Sequence, residues 1–87
     1  MRKQSLHLGV DNLPRTKEDD DTISRNLNSV FKTPNGKAVL KYLRSITIES
    51  VQGPNASDAE LRHLEGQRYL VGLIERRINH GQKVEQQ

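Results

Sequence analysis

The sequence predicts an all-α protein: a small three-helix bundle or helical hairpin with an extended N-terminal arm. Three observations lead there. Beyond residue 21, apolar residues recur at helical spacing in three separate stretches. Each stretch opens on a residue able to cap a helix. Residues 1–21 lack that period and end in a polar run. The expected organisation is an arm over 1–21, extended or disordered, a helical domain over 22–80 and a polar tail over 81–87. With 87 residues in all, the chain holds one domain at most.

In the arm, Leu6-His7-Leu8-Gly9-Val10 alternates as a half-buried strand does, but no other segment of the chain reads as its partner. Pro14 disfavours helix at Leu13. One reading is a disordered tail. The other is an arm lying extended on another protein, with Leu6, Leu8, Val10 and Leu13 as the touching residues.

The first helix is expected over 22–32, capped by Asp21 or Thr22. Ile23, Leu27, Val30 and Phe31 form one apolar stripe, and the preceding aspartates suit the positive end of its dipole. Thr33-Pro34-Asn35-Gly36 then starts a second helix over 34–47. Thr33 is its N-cap, and Pro34 gives up no hydrogen bond at the first helical position. Val39, Tyr42, Leu43 and Ile46 share one face of it, with Lys37, Lys41 and Arg44 opposite. Gly53-Pro54-Asn55 marks a turn. Ser57-Asp58-Ala59-Glu60 is a capping box opening the third helix, over 58–80, with Gly81 as its stop. Leu64, Val71, Ile74 and Ile78 line its inner face, with Leu70 at the edge and Tyr69 and Leu73 widening it. Gly66 and Gly72 each cost about 1 kcal/mol against Ala inside a helix, so a neighbouring backbone is expected close by.

Composition makes this a thin core. The AVILMFWYC set is 32% of the chain, and the aromatic residues are Phe31, Tyr42 and Tyr69. The longest helix therefore carries surplus apolar surface, suited to an oligomer or partner face. The net charge of +3 is uneven: residues 1–21 carry −1, residues 22–56 carry +4 and residues 57–87 are neutral. Arg25, Lys32, Lys37, Lys41 and Arg44 supply the positive middle. They read either as contacts for an acidic protein or phosphate, or as the solvated back of amphipathic helices.

Residue chemistry argues against an enzyme. There is no cysteine, so no disulfide and no thiolate site. His7, His63 and His80 have no i, i+4 partner for a helical metal site, and no metal or cofactor is expected. His63 reads as a half-buried structural residue and His80 as a cation at a helix C-terminus. No serine lies in a nucleophile elbow, and Thr33-Pro34-Asn35-Gly36-Lys37 lacks the glycine and hydroxyl pattern of a phosphate loop. No apolar run is long enough to span a membrane, and no apolar segment follows the basic N-terminus as in a secretory signal.

Two blocks carry a resemblance. They are Phe31-Lys32-Thr33-Pro34-Asn35-Gly36-Lys37-Ala38-Val39-Leu40-Lys41-Tyr42-Leu43, and Glu65-Gly66-Gln67-Arg68-Tyr69-Leu70-Val71-Gly72-Leu73-Ile74 running on to Ile78. The pattern resembles a family of small tailed-bacteriophage proteins whose namesake comes from a Bordetella phage. Such proteins are usually encoded among head and packaging genes. The resemblance covers roughly residues 31–78. It implies phage origin, a link to virion assembly and a place in the virion or, during assembly, in the bacterial host cytoplasm. It carries over no catalytic residues. Phe31, Thr33, Pro34, Gly36, Gly66 and Arg68 are expected to define the fold. The expected function is a structural or assembly protein, oligomeric or multi-copy, docked on other virion proteins at the head, portal–tail vertex or internal core through its arm and long C-terminal helix. The alternatives are a DNA-binding packaging accessory using the basic helix face, or a regulator binding a host protein.

Overall fold

The computed structural model describes residues 5–86. Residues 1–4 and 87, the outer ends of the expected arm and tail, lie outside the described residues. In order, the elements are β1 (Leu6–Leu8), β2 (Pro14–Thr16), α1 (Lys17–Phe31), α2 (Pro34–Ile46) and α3 (Asp58–Glu85). The chain is mostly helical but not purely so, because the expected arm folds into a two-stranded sheet.

β1 and β2 pair antiparallel, with Leu6 opposite Thr16 and Leu8 opposite Pro14. The turn between them is built by small polar residues. Gly9 N–H donates to the Leu13 carbonyl and Asn12 N–H to the Gly9 carbonyl, both at 2.9 Å. Asp11 Oδ1 accepts from Leu13 N–H at 3.1 Å. Asn12 sits at φ 65°, a region Asn tolerates better than most residues. Pro14, read from sequence only as a break, begins an edge strand, where its missing N–H does no harm. Among the described residues the arm thus holds two short extended strands folded into a hairpin, and its last five residues are helix.

The same hairpin moves the start of the first helix. α1 begins at Lys17, five residues before the expected start, because Thr16 is its N-cap; Thr16 Oγ1 accepts from Asp19 N–H at 3.1 Å. The polar run Lys17–Asp21 is thus the first turn of α1. At the other end α3 continues through Gly81 to Glu85, so the expected stop and fraying tail are helix. Ser57 caps α3, its Oγ accepting from Glu60 N–H at 3.1 Å.

α1 packs along the C-terminal half of α3, and the two run parallel: Asp20 meets Arg77, Ser24 meets His80, and Asn28 meets Glu85. The seam is polar. Asp20, Asp21, Ser24 and Asn28 are the buried residues of α1, while Ile23, Leu27 and Phe31 are half-buried and Val30 is exposed. This corrects the expected apolar stripe. The helices approach closely because of Gly81, where a Cβ would strike the Ser24 carbonyl.

α2 turns back from α1 through Thr33, whose Oγ1 accepts from Gly36 N–H at 2.9 Å. Gly36 is buried against the Val30 carbonyl and Phe31, leaving no room for a Cβ. The inward face of α2 is Gly36–Leu40–Leu43–Thr47, at i, i+4, i+7, i+11. Val39, Tyr42 and Ile46, expected in the core with Leu43, lie on an exposed flank instead. The loop after α2 is pinned from α3 by Arg68, whose Nε donates to the Thr47 carbonyl at 2.9 Å and whose Nη2 donates to the Ser50 carbonyl.

On α3, Leu64 and Val71 are buried and Ile74 and Ile78 half-buried, the face read from sequence; Tyr69 and Leu70 are more than half exposed. At about 1.5 Å per residue α3 is about 42 Å long and α1 about 22 Å. The N-terminal half of α3 therefore extends past α1, against the α2–α3 loop. The radius of gyration is 16.0 Å, against about 12 Å for a compact chain of this length.

Candidate interaction surfaces

A connected polar constellation forms a latch that fixes the hairpin to the helices. Arg77 is 2% exposed. Its Nη1 donates to Asp20 Oδ1 at 2.5 Å, to the Asp20 carbonyl at 3.0 Å and to Ser24 Oγ at 3.0 Å. Its Nη2 lies 3.2 Å from Asp11 Oδ2 in the hairpin turn. Asp11 is also held by Arg15, through Nε at 2.9 Å and Nη2 at 2.5 Å. Asp20 Oδ1 accepts from Val10 N–H at 3.2 Å. Turn, α1 and α3 thus converge on one guanidinium. The hydrogen bonds from Arg15 hold the Asp11 carboxyl well below the usual carboxylate range, and Asp11 raises Arg15 in turn. Lys17, 2.7 Å from Asp21, lowers that carboxyl too, with a smaller contribution from His80.

Asp20, Asp21 and His80 bring ligand atoms within 4.8 Å of one another. Asp20 already faces the Arg77 guanidinium and Asp21 the Lys17 ammonium, so the positive charge these carboxylates need comes from the chain itself. Ser24 Oγ lies 2.7 Å from His80 Nδ1, and His80 Nε2 lies 3.6 Å from Asp21. Ser24 has no exposed surface, so its oxygen is not open to a substrate. His80 is mid-helix, not terminal as expected.

The latch leaves the outer side of the hairpin free. Leu6, Leu8 and Leu13 are each more than half exposed and Val10 is half-buried. Leu6 and Leu8 share one side of a strand whose far edge pairs with no described residue. Elsewhere the exposed large apolar residues are Val30, Val39, Tyr42 and Ile46 on α1 and α2, Val51 in the loop, and Leu61, Tyr69 and Leu70 on α3. A groove of about 410 Å³ lies between the end of α2 and the start of α3, lined by Ile46, Ser50, Glu60, His63, Leu64 and Gln67. His63 is exposed there rather than half-buried, 3.1 Å from Gln67.

The five basic residues do not form one surface. Arg44 donates to both Glu75 oxygens, at 2.7 and 2.6 Å, and Glu49 lies 3.5 Å away; Glu75 is the main reason its pKa is raised. It is a strut between α2 and α3. Arg25 is exposed on α1 and donates to Thr22. Lys32, Lys37 and Lys41 are exposed and make no ion pair among the described residues. Phe31 is half-buried and Gly66 is open, with nothing within 4 Å of a Cβ there.

The sequence reading missed the latch. Its signals were Asp20–Ser24–Asn28 at i, i+4, i+8 and Arg77–Gly81 at i, i+4: two polar stripes with the reach to pair across parallel helices.

No helix among the described residues is long and apolar enough to cross a membrane. No curated protein and no solved structure matches the chain. A family model described as Bbp19-like phage protein matches residues 27–86, from the end of α1 through α2 and the whole of α3. The match takes in all of α3, the Thr33–Gly36 turn, the Arg68 pin and Arg77, and leaves the hairpin outside. On that evidence the chain belongs to the Bbp19-like phage protein family.

Proposed function

We propose that this protein is a structural or assembly component of a phage particle, held there by contacts with other virion proteins rather than acting as a catalyst. One observation carries the reading: far more of its large apolar side chains are exposed than are fully buried. Among the described residues only Leu64 and Val71 form a fully buried apolar core, while eleven large apolar side chains stand exposed. Clustered exposed apolar side chains, such as Val39, Tyr42 and Ile46 on one flank of α2, are the kind of surface that serves as an interaction site. The outer edge of the hairpin, with Leu6 and Leu8, offers a strand edge to a neighbour. The outer faces of α2 and α3 offer apolar side chains.

Quantitative mass spectrometry of purified particles tests this. The expected result is a fixed copy number per particle: about a dozen, as at a portal–tail vertex, or hundreds, as on a capsid lattice. Absence from particles that contain their other structural proteins rejects the reading and turns attention to a host-protein regulator.

A second reading rests on Lys32, Lys37 and Lys41, three exposed cations with no acidic partner among the described residues. They would supply phosphate contacts for a packaging accessory. Replacing all three by glutamine would then flatten the salt dependence of duplex binding by a slope of roughly 2–3; an unchanged slope removes DNA from consideration at this face.

A further inference from the structure

We infer that the exposed face of α3 pairs antiparallel with the same face of a second copy of this chain, about a two-fold axis near residue 67. This rests on the α3 surface alone and stands or falls independently of incorporation into a particle.

The stripe Asp58–Leu61–Glu65–Tyr69–Gly72–Arg76 advances by three and four residues at each step, so it follows one side of the helix. Every member is exposed except Gly72, which is half-exposed. Read against itself in reverse, the stripe is self-complementary. Asp58 falls opposite the second copy's Arg76, Leu61 opposite Gly72, and Glu65 opposite Tyr69. Neither Asp58 nor Arg76 has an ion-pair partner among the described residues. Arg76 instead sits 5.5 Å from the Tyr69 ring centroid, so the ring already holds a cation toward an incoming carboxylate. Acid at one end and base at the other repel in a parallel pair and attract in an antiparallel one.

Gly72 supplies a second, independent argument. A glycine in the middle of a helix is costly, and at Gly72, as at Gly66, nothing beyond the adjacent helix backbone lies within 4 Å of where a Cβ would stand. Gly36 and Gly81 are explained by contacts inside the molecule; Gly72 is not. Leu61, 42% exposed, is the side chain that fills the gap across the axis.

Area fits as well. The chain exposes 6633 Å², against roughly 5,200 Å² for a compact protein of this mass. The excess, roughly 1,400 Å², is more than the roughly 800 Å² that one partner buries in a standard interface. The stripe spans about 27 Å of helix.

Sedimentation equilibrium of the intact chain over roughly 1–100 µM tests the inference, with a dimer of twice the 9.9 kDa chain mass expected. Asp58→Arg and Arg76→Glu should each weaken it about five-fold or more, and the double variant should return close to the parent. All are surface changes, and an unchanged helical circular dichroism signal confirms the fold. Because the chain has no cysteine, register can be read directly. Leu61→Cys mixed with Gly72→Cys should yield a disulfide-linked heterodimer on mild oxidation, in excess of either protein alone. A monomer across the whole range, or a dimer that both charge reversals leave intact and whose mixed cysteines do not cross-link, overturns it.

Discussion

At the scale of single residues, Arg77 matters most. It is a buried cation joining three elements, and a buried ion pair is costly to break from one side because the remaining charge stays desolvated. Arg77→Ala is expected to destabilise the fold by about 3–5 kcal/mol in chemical denaturation. Gly81→Ala should cost about 1–3 kcal/mol, since the added methyl must push α1 away from α3. The aspartates give the latch a pH signature. The Asp11 and Asp21 carboxyls are lowered in the folded state, so near pH 3–4 the unfolded chain binds more protons. Their stabilisation is complete above the unfolded value of about 3.9 and is lost as pH falls through the folded values. The melting temperature should therefore drop as pH falls below about 4, and Asp11→Asn should remove part of that dependence. None of these roles was legible at the residue level. An arginine on a helix reads as surface, and Gly81 beside polar residues reads as a terminus, until the partner that excludes a side chain is known.

At the scale of elements, the sequence was clearest where capping chemistry and apolar spacing agree. The starts of α2 and α3 were legible in Thr33-Pro34 and Ser57–Glu60, and the inner face of α3 in Leu64, Val71, Ile74 and Ile78. It was misleading where a polar run had two uses. Lys17–Asp21 looked like solvent-facing chain because the Thr16 cap, three residues before Asp19, was not weighed. The hairpin was missed because three-residue strands carry almost no period, although Asp11-Asn12 is a turn signal. Thr16→Ala is expected to cost about 1 kcal/mol. It should loosen hairpin and helix together, seen as faster amide exchange at Asp19 and across β1–β2. Uniform exchange over the whole chain would instead show that the two do not act as a unit. In α2, the inward face is set by Gly36, where the chain crosses α1, and this turns Val39, Tyr42 and Ile46 outward.

At the scale of the whole molecule, the fold is held by a polar seam, a short apolar row on α3 and loop-pinning arginines. The helical class followed from the sequence; the docking of α1 and its hairpin on α3 depended on contacts between residues more than fifty positions apart. That separation has a consequence during synthesis. α1 lacks its main partner, α3, until Arg77, His80 and Gly81 have been made, some 53–57 residues after Asp20 and Ser24. At ribosomal rates of about 5–20 residues per second, the first helix waits for roughly 3–11 s. A helix with an apolar inner stripe would spend that interval presenting a sticky surface to the host's crowded interior. One whose inner face is aspartate, serine and asparagine spends it hydrated, and it becomes a desolvated seam only when the arginine arrives to neutralise it.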